Sequence, residues 1–103
     1  MYIAMNRFRV TLGRENDFEE IWLSRDSHLK GVPGFVEFQL LKGPERDDHR
    51  LYVSHSLWAS EAAFEAWTTS DAFRKAHAGA KPREGIYLGP PNLECFEVLQ
   101  KVK

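Results

Sequence analysis

Cysteine is nearly absent from this 103-residue chain. The single Cys95 rules out an intrachain disulfide and fits a reducing compartment; set between Glu94 and Phe96 in a strand-like run, it reads as a small core hydrophobe. An excess of either charge is also missing. Fourteen Lys and Arg stand against fifteen Asp and Glu, a net charge of −1, so no electrostatic footprint for nucleic acid exists. No apolar run reaches the length needed to span a bilayer, and Met1 to Arg7 lacks the basic-then-apolar order of a signal peptide. A cytoplasmic protein without a membrane partner is expected. Repeats, low-complexity tracts and dividing linkers are missing, so residues 1–103 should form a single domain. The histidines at 28, 49, 55 and 77 are scattered, with no cysteine or carboxylate pair at zinc-ligand spacing. His49 and His55 share strand parity, which ordinary surface or half-buried histidines explain. Ser24, Ser54 and Ser56 lack a nucleophile elbow, and no glycine-rich loop follows a strand to cradle a nucleotide.

What is present is an alternation of strand and helix signals. Tyr2 to Val10 is rich in aromatic and branched residues and is punctuated by Gly13, a first strand. Phe18, Ile21, Trp22 and Leu29 recur at helical spacing from Glu15 to Lys30, behind the acidic Glu15, Asp17, Glu19 and Glu20 that suit a helix N-terminus. After the Val32-Pro33-Gly34 turn, Phe35 to Lys42 reads as a second strand, Gly43 to Asp48 as a hairpin loop, and His49 to Trp58 as a third strand. Ser60 caps a second helical stretch running to Ala80, which Thr68-Thr69-Ser70-Asp71 should break or re-cap. Ala78 to Pro91 reads as a long loop and Asn92 to Leu99 as the last strand. The order β-α-β-β-α-β predicts an α+β, ferredoxin-like antiparallel sheet with helices on one face. Strand three carries Leu51, Val53 and Leu57 on one side and Tyr52 and Trp58 on the other. Strand two sets Val36, Phe38 and Leu40 against Phe35 and Leu41. A sheet apolar on both faces hides one of them in an interface, so a homodimer packed sheet to sheet is expected.

Three polar or aromatic residues stand out. Asn6 shares strand parity with Tyr2, Ala4, Phe8 and Val10, an apolar face on which an amide must find partners, either from the protein or from a ligand. Trp67 lies at helical spacing with Ala63 and Phe64, which suits core packing. His77, one turn beyond Phe73, can serve the helix C-terminus. Spacing alone leaves both the ordinary and the functional roles open for all three.

Taken together, Asn6 in strand one, Trp67 in the second helical region and His77 ten residues later, followed by Ala78-Gly79, resemble the haem-degrading monooxygenases of the antibiotic-biosynthesis-monooxygenase superfamily. The resemblance spans the whole chain, and Ser70-Asp71-Ala72-Phe73 fits the wider superfamily pattern. It implies a dimeric α+β barrel in which haem is both substrate and cofactor. His77 would be the axial ligand of haem iron, leaving the opposite position for dioxygen; Asn6 would be a neutral donor towards that oxygen; Trp67 would press the macrocycle out of plane. The porphyrin would be opened at a meso carbon, releasing iron and a biliverdin-like tetrapyrrole. No flavin or nicotinamide motif is present, so electrons would come from an external reductant. Arg74, Lys75, Lys81 and Arg83 are the basic residues nearest in sequence for the haem propionates. Two rival functions share these residues: a cofactor-independent oxygenase of the same superfamily acting on an aromatic substrate, and a haem carrier or sensor without turnover.

Overall fold

The computed structural model describes residues 1–24, 28–78 and 85–103, with residues 77 and 78 described by backbone alone. Along the chain lie β1 (Tyr2–Thr11), α1 (Glu15–Ser24), β2 (Phe35–Glu45), β3 (His49–Trp58), α2 (Glu61–Thr68), α3 (Asp71–Ala78) and β4 (Asn92–Glu97). The strands form one antiparallel sheet in the order β2-β3-β1-β4, the ferredoxin-like arrangement that the sequence pattern predicts. The register pairs Tyr2 with Trp58, Ala4 with Ser56, Asn6 with Ser54 and Phe8 with Tyr52. Because side chains alternate along a strand, the even-numbered residues of β1 and β3 line the face beneath the helices.

That face carries two separate aromatic layers. Phe8, Val10, Phe18, Tyr52 and Ile86 pack together, with Trp22 against them. Leu29, Trp58, Trp67 and Ala76 form the second cluster, joined by Phe35, Phe38, Phe64 and Phe73. Helix α2 starts where Ser60 accepts a hydrogen bond from Ala63 N at 3.1 Å. Beyond Thr68 the chain re-caps, because Ser70 Oγ donates to Trp67 O at 2.6 Å and accepts from Phe73 N at 3.1 Å. The Thr-Thr-Ser-Asp break is therefore real and turns α3 out of line with α2. Gly34 has φ of 81° and packs directly under Ala63, so a side chain there would meet both backbone strain and α2.

Several expectations need correction. α1 ends at Ser24 among the described residues, and Leu29 is buried outside it, next to His28 with φ of 57°. β2 continues through Gly43 and Pro44 to Glu45, since register shifts on this edge strand absorb both residues and Arg50 Nε donates to Gly43 O at 2.7 Å. A second register shift, between Phe35 and Glu37, places Phe35 on the same face as Phe38, where it meets Trp58 edge-on. Cys95 is exposed rather than in the core, because β4 is an edge strand with no helix above it. Of the long loop expected over 78–91, residues 79–84 lie outside the described residues; Ile86 is fully buried and Tyr87 bridges Val10. β4 itself stops at Glu97 rather than Leu99.

The face turned away from the helices carries Ile3, Met5, Val53 and Leu57, all half-buried, with Leu41 and Phe96 exposed in register beside Val53 and Ile3. No helix among the described residues is long and apolar enough to cross a membrane.

Candidate active site

The two aromatic layers leave a gap between them. On the middle rungs of β1 and β3 the helix-facing residues are Ala4, Asn6, Ser54 and Ser56, all small or short, while Tyr2 and Trp58 lie on one side and Phe8 and Tyr52 on the other. Short side chains between large ones cannot fill the space beneath α2 and α3. The result is a cavity of about 180 Å³, walled by Trp22 and Phe38 towards α1 and by Phe64, Trp67, Phe73 and Ala76 from α2 and α3. None of its described lining residues is charged.

Asn6 and Trp67, two of the three residues singled out from sequence, line this same cavity. Trp67 is 7% exposed, stacked on Trp58 with centroids 6.1 Å apart and met edge-on by Phe73 at 5.4 Å. It is thus both core and cavity wall. The half-buried Asn6 side-chain amide makes no hydrogen bond among the described residues and opens onto the cleft, where it can pair with a ligand. His77 belongs to α3, one residue beyond the lining residue Ala76; its side chain lies outside the described residues. Arg74 and Lys75 are exposed on the same helix, with Arg74 paired to Asp71, and Lys81 and Arg83 lie outside the described residues. His49 and His55 project from the other face of the sheet, by register.

Ser54, Phe38, Trp22 and Leu29 are among the lining residues that the sequence reading did not assign to the site. Ser54 could have been found from its parity with Tyr52 and Trp58. Leu29 could not, because helical periodicity assigned it to α1.

One rung beyond Asn6 and Ser54, the Tyr52 hydroxyl donates to Glu19 Oε2 at 2.5 Å, and Lys42 Nζ lies 2.9 Å from the same oxygen. Burial, and then the Glu19 carboxylate, push Tyr52 above its ordinary range. The Tyr52 hydroxyl, followed by Lys42, holds Glu19 below the usual carboxylate range. At the other end, a hydrogen bond with Cys95 and then burial raise Tyr2 to about 12. The cleft therefore sits between groups whose protonation is fixed near neutrality.

A larger cleft of about 450 Å³ on the opposite sheet face is lined by Arg7, Arg9, Arg46 and His49. It lacks aromatic walls, and its polar groups are largely engaged: Arg7 with Glu94 at 3.5 Å, Arg9 with Leu88 O at 3.5 Å and His49 with Asp48 at 2.6 Å. Its chemistry does not suit a flat apolar ligand.

An aromatic cleft over an antiparallel sheet, with an amide in its floor and no charge among its described lining residues, suits a flat small molecule. The chain belongs to the antibiotic biosynthesis monooxygenase family, which it matches over residues 1–79. Within that family it is similar to the mycobilin-producing haem oxygenase of Mycobacterium tuberculosis, with 32% identity over 100 residues, covering 97% of this chain and 90% of the relative. It is 30% identical over 78 residues to the staphylobilin-producing haem oxygenase of Staphylococcus haemolyticus, covering 75% of this chain and 73% of the relative. Among solved structures it superposes on the haem degrader MhuD from M. tuberculosis with two haems in its active site, at a TM-score of 0.76, 31% identity and full coverage of both chains.

Proposed function

We infer that this protein is a haem-degrading monooxygenase: it takes haem as substrate and opens the porphyrin at a meso carbon, releasing iron and a biliverdin-like tetrapyrrole. The observation that carries the reading is the cleft, where Trp67 and an unpaired Asn6 amide share a largely aromatic space, without charge among its described lining residues, beside the end of α3. The residues present suit the ligand. Aromatic walls match a flat macrocycle, and neutral donors without charge among the described lining residues suit dioxygen. Haem, when bound, supplies the iron that activates dioxygen and the ring that is cut.

The chain's own residues then have distinct tasks. His77, as a neutral imidazole, would hold the haem iron. Asn6 is the neutral donor facing dioxygen, able to hold it without supplying a proton as a strong acid would. Trp67, locked between Trp58 and Phe73, is a rigid wall against which the macrocycle is pressed. The described cavity is smaller than the roughly 300–1,000 Å³ of typical ligand sites, so haem would need more room than the described walls leave. Electrons come from an external donor. We further propose that residues 1–103 work as one domain in a cytoplasmic homodimer whose subunits meet through the open sheet faces, which supports the barrel arrangement and covers Leu41 and Phe96.

Haem titration of the wild type and His77→Ala tests the assignment. A Soret band of a histidine-ligated haem is expected in the wild type and its loss in the variant, with the far-ultraviolet spectrum unchanged. Acid should release haem from the wild type, because only neutral imidazole binds iron. An unchanged band in His77→Ala would move the ligand role to another histidine, of which His28 stands beside the lining residue Leu29.

A further inference from the structure

Three hydroxyl groups line the cleft, from Ser54, Ser56 and Thr68. Two of them have work within the protein. Ser56 Oγ donates to Ala4 O at 3.2 Å and accepts from Trp58 Nε1 at 2.9 Å, tying the floor of the cleft to the indole beneath Trp67. Thr68 Oγ1 donates to Glu65 O at 2.8 Å, closing the last turn of α2. Ser54 differs. It is only 8% exposed, and its side chain has no hydrogen-bond partner among the described residues.

With no partner inside the protein, the Ser54 hydroxyl is open to the cleft rather than sealed in the core. Its place is uncommon. Ser54 lies in β3, an interior strand of the sheet, where branched and aromatic residues are favoured and serine gains little. It stands directly across from Asn6 in the β1–β3 register. The one rung that carries an unpaired amide therefore also carries an unpaired hydroxyl, and both line the same cavity. Two donors that the protein leaves unpaired on one rung of the cleft can both serve a single small polar ligand.

We propose that Ser54 is a second ligand-facing donor of the site, acting beside Asn6 on the dioxygen that shares the cleft with haem. The proposal rests on the haem reading above. Two neutral donors on adjacent strands fix the orientation of a diatomic ligand better than one, because a single donor leaves it free to swing about one hydrogen bond. Neither group is acidic enough to transfer a proton outright, so the pair orients without changing the protonation chemistry.

Carbon monoxide is the probe, since its stretching frequency falls when a neighbouring donor points at its oxygen and rises when that donor is lost. The ferrous haem complexes of wild type, Ser54→Ala, Ser54→Thr and Asn6→Ala are compared by infrared spectroscopy under carbon monoxide. Ser54→Ala should raise the C–O stretch, as should Asn6→Ala, and Ser54→Thr should restore it, because threonine keeps the hydroxyl and suits a strand. The melting temperature of haem-free Ser54→Ala should not fall, since no partner inside the protein is lost. A Soret band with an unmoved C–O stretch in Ser54→Ala would overturn the role of Ser54 and leave the haem reading intact. No Soret band in the wild type would overturn the haem reading, and this proposal with it.

Discussion

Replacing Asn6 with alanine separates a ligand-facing amide from a structural one by two measurements that should move independently. An amide tied into the fold by hydrogen bonds costs about 1–3 kcal/mol when removed. The Asn6 side chain makes no such bond among the described residues and lines a cavity, so Asn6→Ala has no internal bond to lose. Its unfolding free energy should stay within about 0.5 kcal/mol of wild type, or under about 4 °C in Tm for a domain of this size. Catalysis should respond very differently. Loss of one preorganised donor costs about 2.7–4 kcal/mol in the transition state, a drop of about 10²–10³ in turnover. Calorimetry or thermal melts of the haem-free protein give the first number. The rate of Soret loss with ascorbate under air gives the second, at saturating haem. A large fall in Tm together with wild-type turnover would refute the reasoning and make Asn6 a structural amide whose partners form elsewhere.

Trp67→Ala should lose about 3–5 kcal/mol of stability because the indole packs on Trp58 and Phe73; the informative variant is therefore Trp67→Phe, which should keep the fold, bind a flatter haem by resonance Raman and degrade it more slowly. Glu19 is held below its ordinary range by Tyr52 and Lys42, so the native state binds fewer protons than the unfolded chain once pH drops towards the unfolded value of about 4.3. That stabilisation is complete above the unfolded value and is lost as pH falls through the depressed native one. Tyr52→Phe should cost about 1.5–3 kcal/mol near neutrality and flatten the acid limb of a stability-versus-pH curve; an equally steep limb would place the proton uptake elsewhere. Sedimentation at micromolar concentration should show a dimer, and Val53→Glu, on the open sheet face, should shift it to monomer, whereas a wild-type monomer would refute the sheet-to-sheet packing.

The architecture was legible because the hydrophobic period changes sharply along the chain. His49 to Trp58 matches β3 residue for residue, since branched and aromatic residues run along it and turn residues bound it. Boundaries failed where a local hydrogen bond outweighed composition: Gly43 and Pro44 look like a loop, yet Arg50 holds Gly43 in the edge strand. The Phe35 face was misread because a register shift, invisible to periodicity, reverses the alternation. Cys95 was misplaced because burial depends on which strand ends at the sheet edge, a topological fact. Within the site, Asn6 was readable as an amide on an apolar strand face, whereas Trp67 reads as core by spacing and was singled out by the family resemblance. The place of Ser54 on that face was readable from parity, but its lack of a partner was not, because that appears only when Ser56 and Thr68 are seen to be engaged.

The central claim is that haem is consumed in this cleft. The most direct measurement is a single-turnover reaction of the haem-loaded protein with a reductant under air, followed by absorption and by mass spectrometry of the pigment, with a chelator present to capture ferrous iron. The account predicts loss of the Soret band, one equivalent of iron released per haem, and a linear tetrapyrrole heavier by incorporated oxygen. A Soret band that persists unchanged, with haem recovered intact, would contradict it and leave a carrier in its place.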